Sequence, residues 1–226
     1  MRLFMESKEK YDAVSWAPDA KVPFKDKFWN CLAPSFSCLL PFNIFGYSLL
    51  YFYTDIVGLD PTLAGAIIMF ARTFDVFTDI MIGYFIDRLN PKIGKYRFWG
   101  LISFFPQLID LVLVFTFFPS ASKSFQVVWC AVTYGCYGAI CATLGYIPQN
   151  SRASFAGLKG LFENIAILLA ASVYMPVVNM LAGPTNNMAR GFVLATIIFS
   201  LVAQIPILFN VRYTRKYELN YDGTYR

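Results

Sequence analysis

Six apolar runs, separated by short polar segments, make up most of the chain. Each run is at least as long as the ~20 residues that an α-helix needs to cross a bilayer. The intervening segments combine Gly, Pro, Asn and Ser, which favour turns. We therefore predict an all-α integral membrane protein with six transmembrane helices, at Asn30 to Thr54, Thr62 to Ile86, Phe98 to Phe118, Phe125 to Ile147, Gly160 to Leu181 and Gly191 to Val211.

The composition supports a membrane protein. Of 226 residues, 57% are hydrophobic and only 15% are charged, whereas about 25% is usual in a soluble domain. The chain has no histidine and its five cysteines form no CxxC pair, so we expect neither a zinc site nor a disulfide. The cysteines are predicted to be small packing residues.

Basic residues predict how the bundle is oriented. Most of the 19 lysines and arginines lie in the two tails and in the second and fourth loops, while the opposite side receives only Lys123 and Arg190. Cytoplasmic loops carry the excess of basic residues. We therefore expect a multi-pass plasma-membrane protein with both termini in the cytoplasm: a tail at 1–28, a six-helix bundle at 29–211, and a second tail or linker at 212–226. The net charge of +5 follows from this topology, with no need for nucleic acid as a partner.

Three charges lie inside the second apolar run. Arg72, Asp75 and Asp79 are spaced by three and four residues, so they share one face of a helix. Each charge near mid-bilayer costs roughly 2.5–3.5 kcal/mol on insertion scales. Arg72 neutralises one aspartate, and the remaining negative charge can be cancelled by Na⁺, Li⁺ or H⁺, the two carboxylates converging on one ion or sharing a proton. The alternative is a salt bridge that only holds helices together.

The sequence around these charges resembles a known transporter family. The stretches "YFYTDIVGLDP" and "FARTFDVFTDIMIGYFIDRLNPKIGKYRFW" resemble the glycoside-pentoside-hexuronide:cation symporters, the melibiose permease group of the major facilitator superfamily. The resemblance extends from about Phe28 to Val211. It implies that the six helices form the N-terminal half of a major-facilitator-type transporter.

The resemblance implies a cation site in the second helix. The family's D-x-x-x-D pair, which binds the coupling cation, matches Asp75 and Asp79, and the preceding arginine matches Arg72. A polar residue of the fourth helix completes the site in the family, and alignment on the following proline gives Thr143. The alternative for Thr143 is a hydroxyl bonded back to its own helix.

A second resemblance concerns the loop after the second helix. The superfamily's G-x-x-x-D-R pattern matches Gly83, Asp87 and Arg88. In the superfamily this loop joins two rigid helices and can act as a latch between conformations, which is what we expect of Asp87 and Arg88.

Departures from the family pattern concern the solute. The charges that hold the galactoside in melibiose permease correspond to Leu39, Tyr146 and Gly160. Polar residues close to these places are candidate solute ligands: Asn43, Tyr146, Asn150, Lys159 and Glu163. Asp110, in the third run, is predicted to form a hydrogen bond with a partner helix.

The predicted function is cation-coupled symport, with Na⁺ or H⁺, of a small polar solute such as a sugar or glycoside. It requires no catalytic residue and no cofactor beyond the coupling ion. The expected partners are the lipid bilayer, the solute and a C-terminal six-helix half of the same protein. The alternatives are a non-transporting fragment or scaffold, and a related carrier of a non-sugar solute such as a lysolipid. A membrane enzyme is disfavoured because the only acidic pair lies beside an arginine.

Overall fold

The computed structural model describes residues 23–88, 95–142, 152–183 and 187–218. Within these ranges all regular structure is helical, which confirms the all-α prediction. The helices are α1 (Phe24–Ile56), α2 (Pro61–Arg88), α3 (Lys95–Val114), α4 (Lys123–Ala142), α5 (Arg152–Ser172), α6 (Tyr174–Ala182) and α7 (Met188–Glu218). Only Val173 separates α5 from α6, so these two helices together form the fifth predicted span.

The turn between α1 and α2 follows from its residues. Gly58 has a φ of 75°, which a residue without a Cβ adopts readily. The Asp60 carboxylate accepts a hydrogen bond of 2.8 Å from the Thr62 backbone N–H, as an N-cap does. Pro61 is the first helical residue, where its missing N–H costs no hydrogen bond. The long helix α2 therefore begins at a fixed point.

Prolines accompany two of the three irregularities within the described helices. Pro34 precedes a π-helical segment in α1, Ser35–Leu39, and a second such segment ends α1 at Phe52–Ile56. Pro176 cannot donate a hydrogen bond to the preceding turn, and the helix is interrupted just before it, at Val173. These interruptions bend or widen the rods without ending the spans.

The helices pack into one bundle. Helix α2 packs mainly on α4; α3 packs on α4 and α7; α7 also packs on α1 and α6; and α1 packs on α5. An aromatic cluster joins α1, α6, α7 and the residue that follows α3. Its Phe115 and Phe192 rings stack at 5.3 Å, and both are fully buried with Phe52 and Tyr174. The aromatic cluster holds α1, α6 and α7 together, whereas α2 packs mainly on α4.

Within the described part of the chain, three stretches are both long and apolar enough to cross a membrane: Phe24–Ile56, Phe155–Ala182 and Met188–Arg212. Helix α2, which carries the three charges, is not among these three. The shorter apolar stretch Phe98–Val114 lies in α3. Long apolar helices packed in this way identify a multi-pass membrane protein.

Several helix ends differ from those expected. α1 begins at Phe24 instead of Asn30, α5 begins at Arg152 instead of Gly160, and α7 continues to Glu218 instead of ending at Val211. The apolar pattern marks only the part of a helix that matches the hydrocarbon thickness. Polar helical turns beyond that thickness leave no hydropathy signal.

One expectation about the cysteines is wrong. Cys38 is disulfide-bonded, whereas Cys31, Cys130 and Cys136 are free thiols. Spacing rules detect cysteines that are neighbours along the chain. The partner of Cys38 is not the nearby Cys31, and the other cysteines are all distant in sequence, so only the packing of helices could reveal this bond.

Candidate cation site

The charged stripe of α2 is anchored by Arg72. Its guanidinium lies 3.7 Å from the Asp75 carboxylate. The same guanidinium lies over the ring of Phe42 in α1, at 4.2 Å, and near the ring of Tyr134 in α4, at 5.3 Å. Aromatic faces attract a cation most strongly where water is excluded. Arg72 therefore connects three helices and partly neutralises Asp75.

Asp75 is seated directly against helix α4. A Cβ placed on Gly138 would overlap the Asp75 carboxylate, so only a glycine allows this approach. Asp75 Oδ2 faces Arg72, while the buried Oδ1 has no hydrogen-bond partner among the described residues. A buried polar atom without a partner is energetically unfavourable. This oxygen is therefore the part of the stripe that most needs a proton or an ion.

Asp79 is placed differently from Asp75. The two residues share one face of α2, about 6 Å apart along the axis, but Asp75 is half-buried and Asp79 is exposed. The buried side of α2 runs through Ala64, Ile67 and Ala71, and Asp79 is turned further from that side than Asp75 is. No hydrogen bond or ion pair of Asp79 occurs within the described part of the chain.

The stripe thus combines one arginine, one inward carboxylate and one accessible carboxylate. Its formal charge is minus one, and it lies in a helix that packs within a membrane bundle. Carboxylate oxygens are suitable ligands for hard cations, and they also bind protons. Asp79 is the more exposed of the two carboxylates, whereas the unpaired Oδ1 of Asp75 is buried.

Several predicted site residues cannot be related to this geometry. Thr143, Tyr146 and Asn150 lie outside the described residues, as does the side chain of Asp87. Gly83 lies in α2 as expected. Arg88, the last residue of α2, is exposed, and its guanidinium lies 4.3 Å from the centre of its neighbour Tyr84's ring. That contact lies within one helix, so the latch between helices stays a prediction.

The described contacts of the candidate solute ligands do not involve the charged stripe. Asn43 Nδ2 donates to the Leu39 carbonyl of its own helix at 2.7 Å. Lys159 Nζ and Glu163 Oε1 lie 3.6 Å apart on α5, each about one third exposed. The structure therefore does not bring these side chains together with Asp75.

The sequence did not reveal the non-charged part of the site. Phe42, Tyr134 and Gly138 form the walls around Arg72 and Asp75. Gly138 carried a weak signal, because a small residue in a membrane helix often marks a close approach. The two aromatic residues were indistinguishable from the many others in the chain.

Comparison with known proteins places this geometry in context. The family described as MFS/sugar transport protein matches residues 32–223. The isoprimeverose transporter of Lactiplantibacillus pentosus is 27% identical over 195 residues, which are 81% of this chain and 40% of the transporter. A putative 2,3-dihydroxypropane-1-sulfonate exporter of Escherichia coli (strain K12) is 30% identical over 194 residues, which are 80% of this chain and 41% of the exporter.

A third relative matches more closely over a shorter stretch. The glucuronide carrier protein homolog of Escherichia coli (strain K12) is 36% identical over 106 residues, covering 47% of this chain and 23% of the carrier. The chain therefore spans about two fifths of the length of the first relatives it matches. The names of all three relatives describe transport, and none describes catalysis.

Proposed function

The chain belongs to the MFS/sugar transport protein family, and from this premise we propose that it is the cation-coupling part of a secondary active symporter. Family membership confirms the resemblance to the glycoside-pentoside-hexuronide:cation symporters and the expectation of a transporter instead of an enzyme. The further proposal is that Na⁺ or H⁺ binds at Asp75 and Asp79 and drives the movement of a small polar solute.

The charge of the stripe is the observation that supports cation coupling. Arg72 faces one oxygen of Asp75 at 3.7 Å, and the other oxygen is buried without a partner. Asp79 contributes a second negative charge that no described cation neutralises. A cation would remove the remaining charge from a site where water is scarce, which is favourable because ionisable groups in a membrane are costly. Thr143 is proposed as a further ligand from α4.

The cation would act on a solute site between two halves. Transporters of this superfamily consist of two six-helix halves, with the solute bound near the bilayer centre between them. We propose that a second six-helix half completes the carrier, since the relatives are longer than this chain. Both termini of the bundle are proposed to face the cytoplasm, in the plasma membrane, with Asp87 and Arg88 as a conformational latch.

The solute is proposed to be a small hydroxylated molecule of the sugar or glycoside class. The names of the relatives support this class, because they include an isoprimeverose transporter and a glucuronide carrier homolog. One relative is named a putative exporter of a hydroxylated sulfonate, so both directions of transport and anionic solutes belong in the test. Asn43, Lys159 and Glu163 remain candidate ligands, together with Tyr146 and Asn150.

The test uses the full-length protein in proteoliposomes. A panel of labelled sugars, glycosides, hydroxylated sulfonates and lysolipids is offered with an inward Na⁺ gradient, an inward proton gradient or neither. We expect Asp75→Asn and Asp79→Asn to abolish gradient-driven uptake but to retain exchange of solute between the two sides. Asp60→Asn is the matched control, because Asp60 is exposed in the turn before α2 and asparagine also caps helices.

Two results would contradict the proposal. If both variants accumulate solute as the wild type does, the coupling ion does not bind at this pair. If the wild type neither accumulates nor exchanges any solute of the panel, the alternative of a non-transporting scaffold is favoured. Asking whether the 226-residue chain alone catalyses exchange separates a fragment from a self-sufficient carrier.

A further inference from the structure

Asp110 in α3 is a buried acid that the cation pair does not use. It is only 6% exposed. Its Oδ2 has no accessible surface and no hydrogen-bond partner within the described helices. No described residue therefore forms the hydrogen bond expected between this oxygen and a partner helix, and the carboxyl group requires another source of stabilisation.

Among the described residues, no lysine or arginine forms an ion pair with Asp110. The titratable groups that interact with it are Tyr53 of α1, and Cys136 and Tyr137 of α4. Helix α7, which also packs on α3, contains no titratable side chain between residues 191 and 211. Arg72, which packs on Tyr134 of α4, is engaged with Asp75 and two aromatic rings. An ionised Asp110 would therefore lie in the core without a counter-charge.

The two neighbouring tyrosine hydroxyls do not donate to Asp110. The Tyr53 hydroxyl donates to the Cys130 carbonyl at 3.2 Å, and the Tyr137 hydroxyl donates to the Cys38 carbonyl at 3.1 Å. Each hydroxyl has only one proton, so neither can also donate to Asp110. The two tyrosines thus link helices to one another, and neither donates a hydrogen bond to the Asp110 carboxyl group.

Gln107, one helical turn earlier in α3, also has a buried oxygen without a hydrogen-bond donor among the described residues. Its Nε2 donates to the Ser37 carbonyl of α1 at 2.6 Å, while its Oε1 is buried and accepts no hydrogen bond from a described residue. Residues three apart are neighbours on one helix face. On the face of α3 toward the core, neither Gln107 Oε1 nor Asp110 Oδ2 therefore receives a hydrogen bond from a described residue.

We propose that Asp110 is a proton-binding site whose carboxyl group is neutral in the packing that this structure shows. A proton removes the buried charge, whose desolvation is highly unfavourable, and supplies a donor where the neighbouring acceptors lack one. A metal ion fits less well, because hard cations require several oxygen ligands and the free set here is one carboxyl group and one amide oxygen. This site is separate from the cation pair and does not depend on it.

Infrared difference spectroscopy of the full-length protein in lipid bilayers tests the assignment. We expect the wild type at neutral pH to show the C=O absorption of a protonated carboxyl group that Asp110→Asn removes, by the equivalent of one group per molecule. Asp110→Glu should move the band instead of removing it. Asp60→Asn and Asp75→Asn should leave it in place, and so should a change of Na⁺ concentration.

The proposal is overturned if wild type and Asp110→Asn have the same absorption in this region. It is also overturned if the Asp110 band is present only when Na⁺ is removed, because the carboxylate would then be ionised and bound to the cation. If Asp110→Asn does not fold, the Asp110→Glu spectrum decides: an unshifted spectrum in the carboxylic acid region contradicts a protonated Asp110.

Discussion

A methyl group at Gly138 is the smallest change that tests the geometry of the cation site. The added Cβ would overlap Oδ1 and Cγ of Asp75 and would lie 2.9 Å from Oδ2. Gly135 lies one turn earlier on the same helix, and a Cβ there meets no atom within 4 Å. The two alanine variants therefore alter α4 equally in composition, but only one of them displaces the carboxylate.

The expected magnitudes can be worked out from this difference. Replacing glycine by alanine in a helix favours folding by about 0.5–1 kcal/mol, and Gly135→Ala should show this gain. Gly138→Ala adds overpacking, which typically costs about 1–3 kcal/mol and which a rotation of the Asp75 side chain can relieve. The net change in folding free energy is then small, at about 0–2 kcal/mol unfavourable. If the ion binds only when Asp75 is in its original position, binding must restore the overpacked arrangement. That cost of about 1–3 kcal/mol weakens cation binding about 5- to 150-fold.

The assay is a Na⁺, Li⁺ and H⁺ titration of the full-length protein in detergent or nanodiscs, followed by calorimetry or by ligand-induced thermal stabilisation. Gly135→Ala should bind the cation as the wild type does, and Gly138→Ala should bind it clearly more weakly at a similar melting temperature. Equal affinities of the two variants would refute the reasoning. Asp75 would then either not ligate the ion or not be seated on Gly138.

Two further predictions concern stability. Gly191→Ala in α7 should lower the free energy of unfolding by about 1–3 kcal/mol through overpacking, and so lower the melting temperature, because its Cβ would overlap the backbone carbonyl of Val178 in α6. Gly65→Ala, which has open space around its Cβ, should not lower the melting temperature. The hydrogen bond from the Thr62 backbone N–H holds the pKa of Asp60 below its ordinary value of 3.8. The contribution of this cap to stability is therefore present above pH 3.8 and is lost as the pH falls through the lower pKa of the folded state. Melting curves of wild type and Asp60→Ala should therefore differ at neutral pH and converge in strong acid; a difference that is constant with pH would contradict this assignment.

The sequence predicted those features that depend on one helix at a time. The apolar runs predicted the number of transmembrane helices. The segment "GLDP" predicted a turn, and Gly58 and Pro61 lie where one helix ends and the next begins. The spacing of Arg72 and Asp75 correctly placed them on one face. Each of these features is set by periodicity or by local backbone preference, so no information about neighbouring helices was needed.

Features that depend on contact between helices could not be predicted. The contact of Asp75 with Gly138, the exposure of Asp79 and the stacking of Phe42 on Arg72 arise from how α1, α2 and α4 pack. The π-helical turn after Pro34 has no reliable sequence signal, since proline is compatible with several kinds of kink. An aspartate in an apolar run indicated a functional site, but its surroundings had to be seen to decide which kind.

Helix α4 lies beside both acidic groups, one of them half-buried and the other buried in the core. Gly138 meets Asp75, while the adjacent Tyr137 is directed to α1, bonded to the Cys38 carbonyl, and interacts electrostatically with Asp110. Consecutive residues of a helix are about 100° apart, so a single residue step turns from one site to the other. Asp75 lies against Gly138 of α4, one helical turn from the exposed Asp79, and this is where we propose that the cation binds. Asp110 faces the centre, where no described cation balances it and a proton is the smallest ligand that can neutralise it.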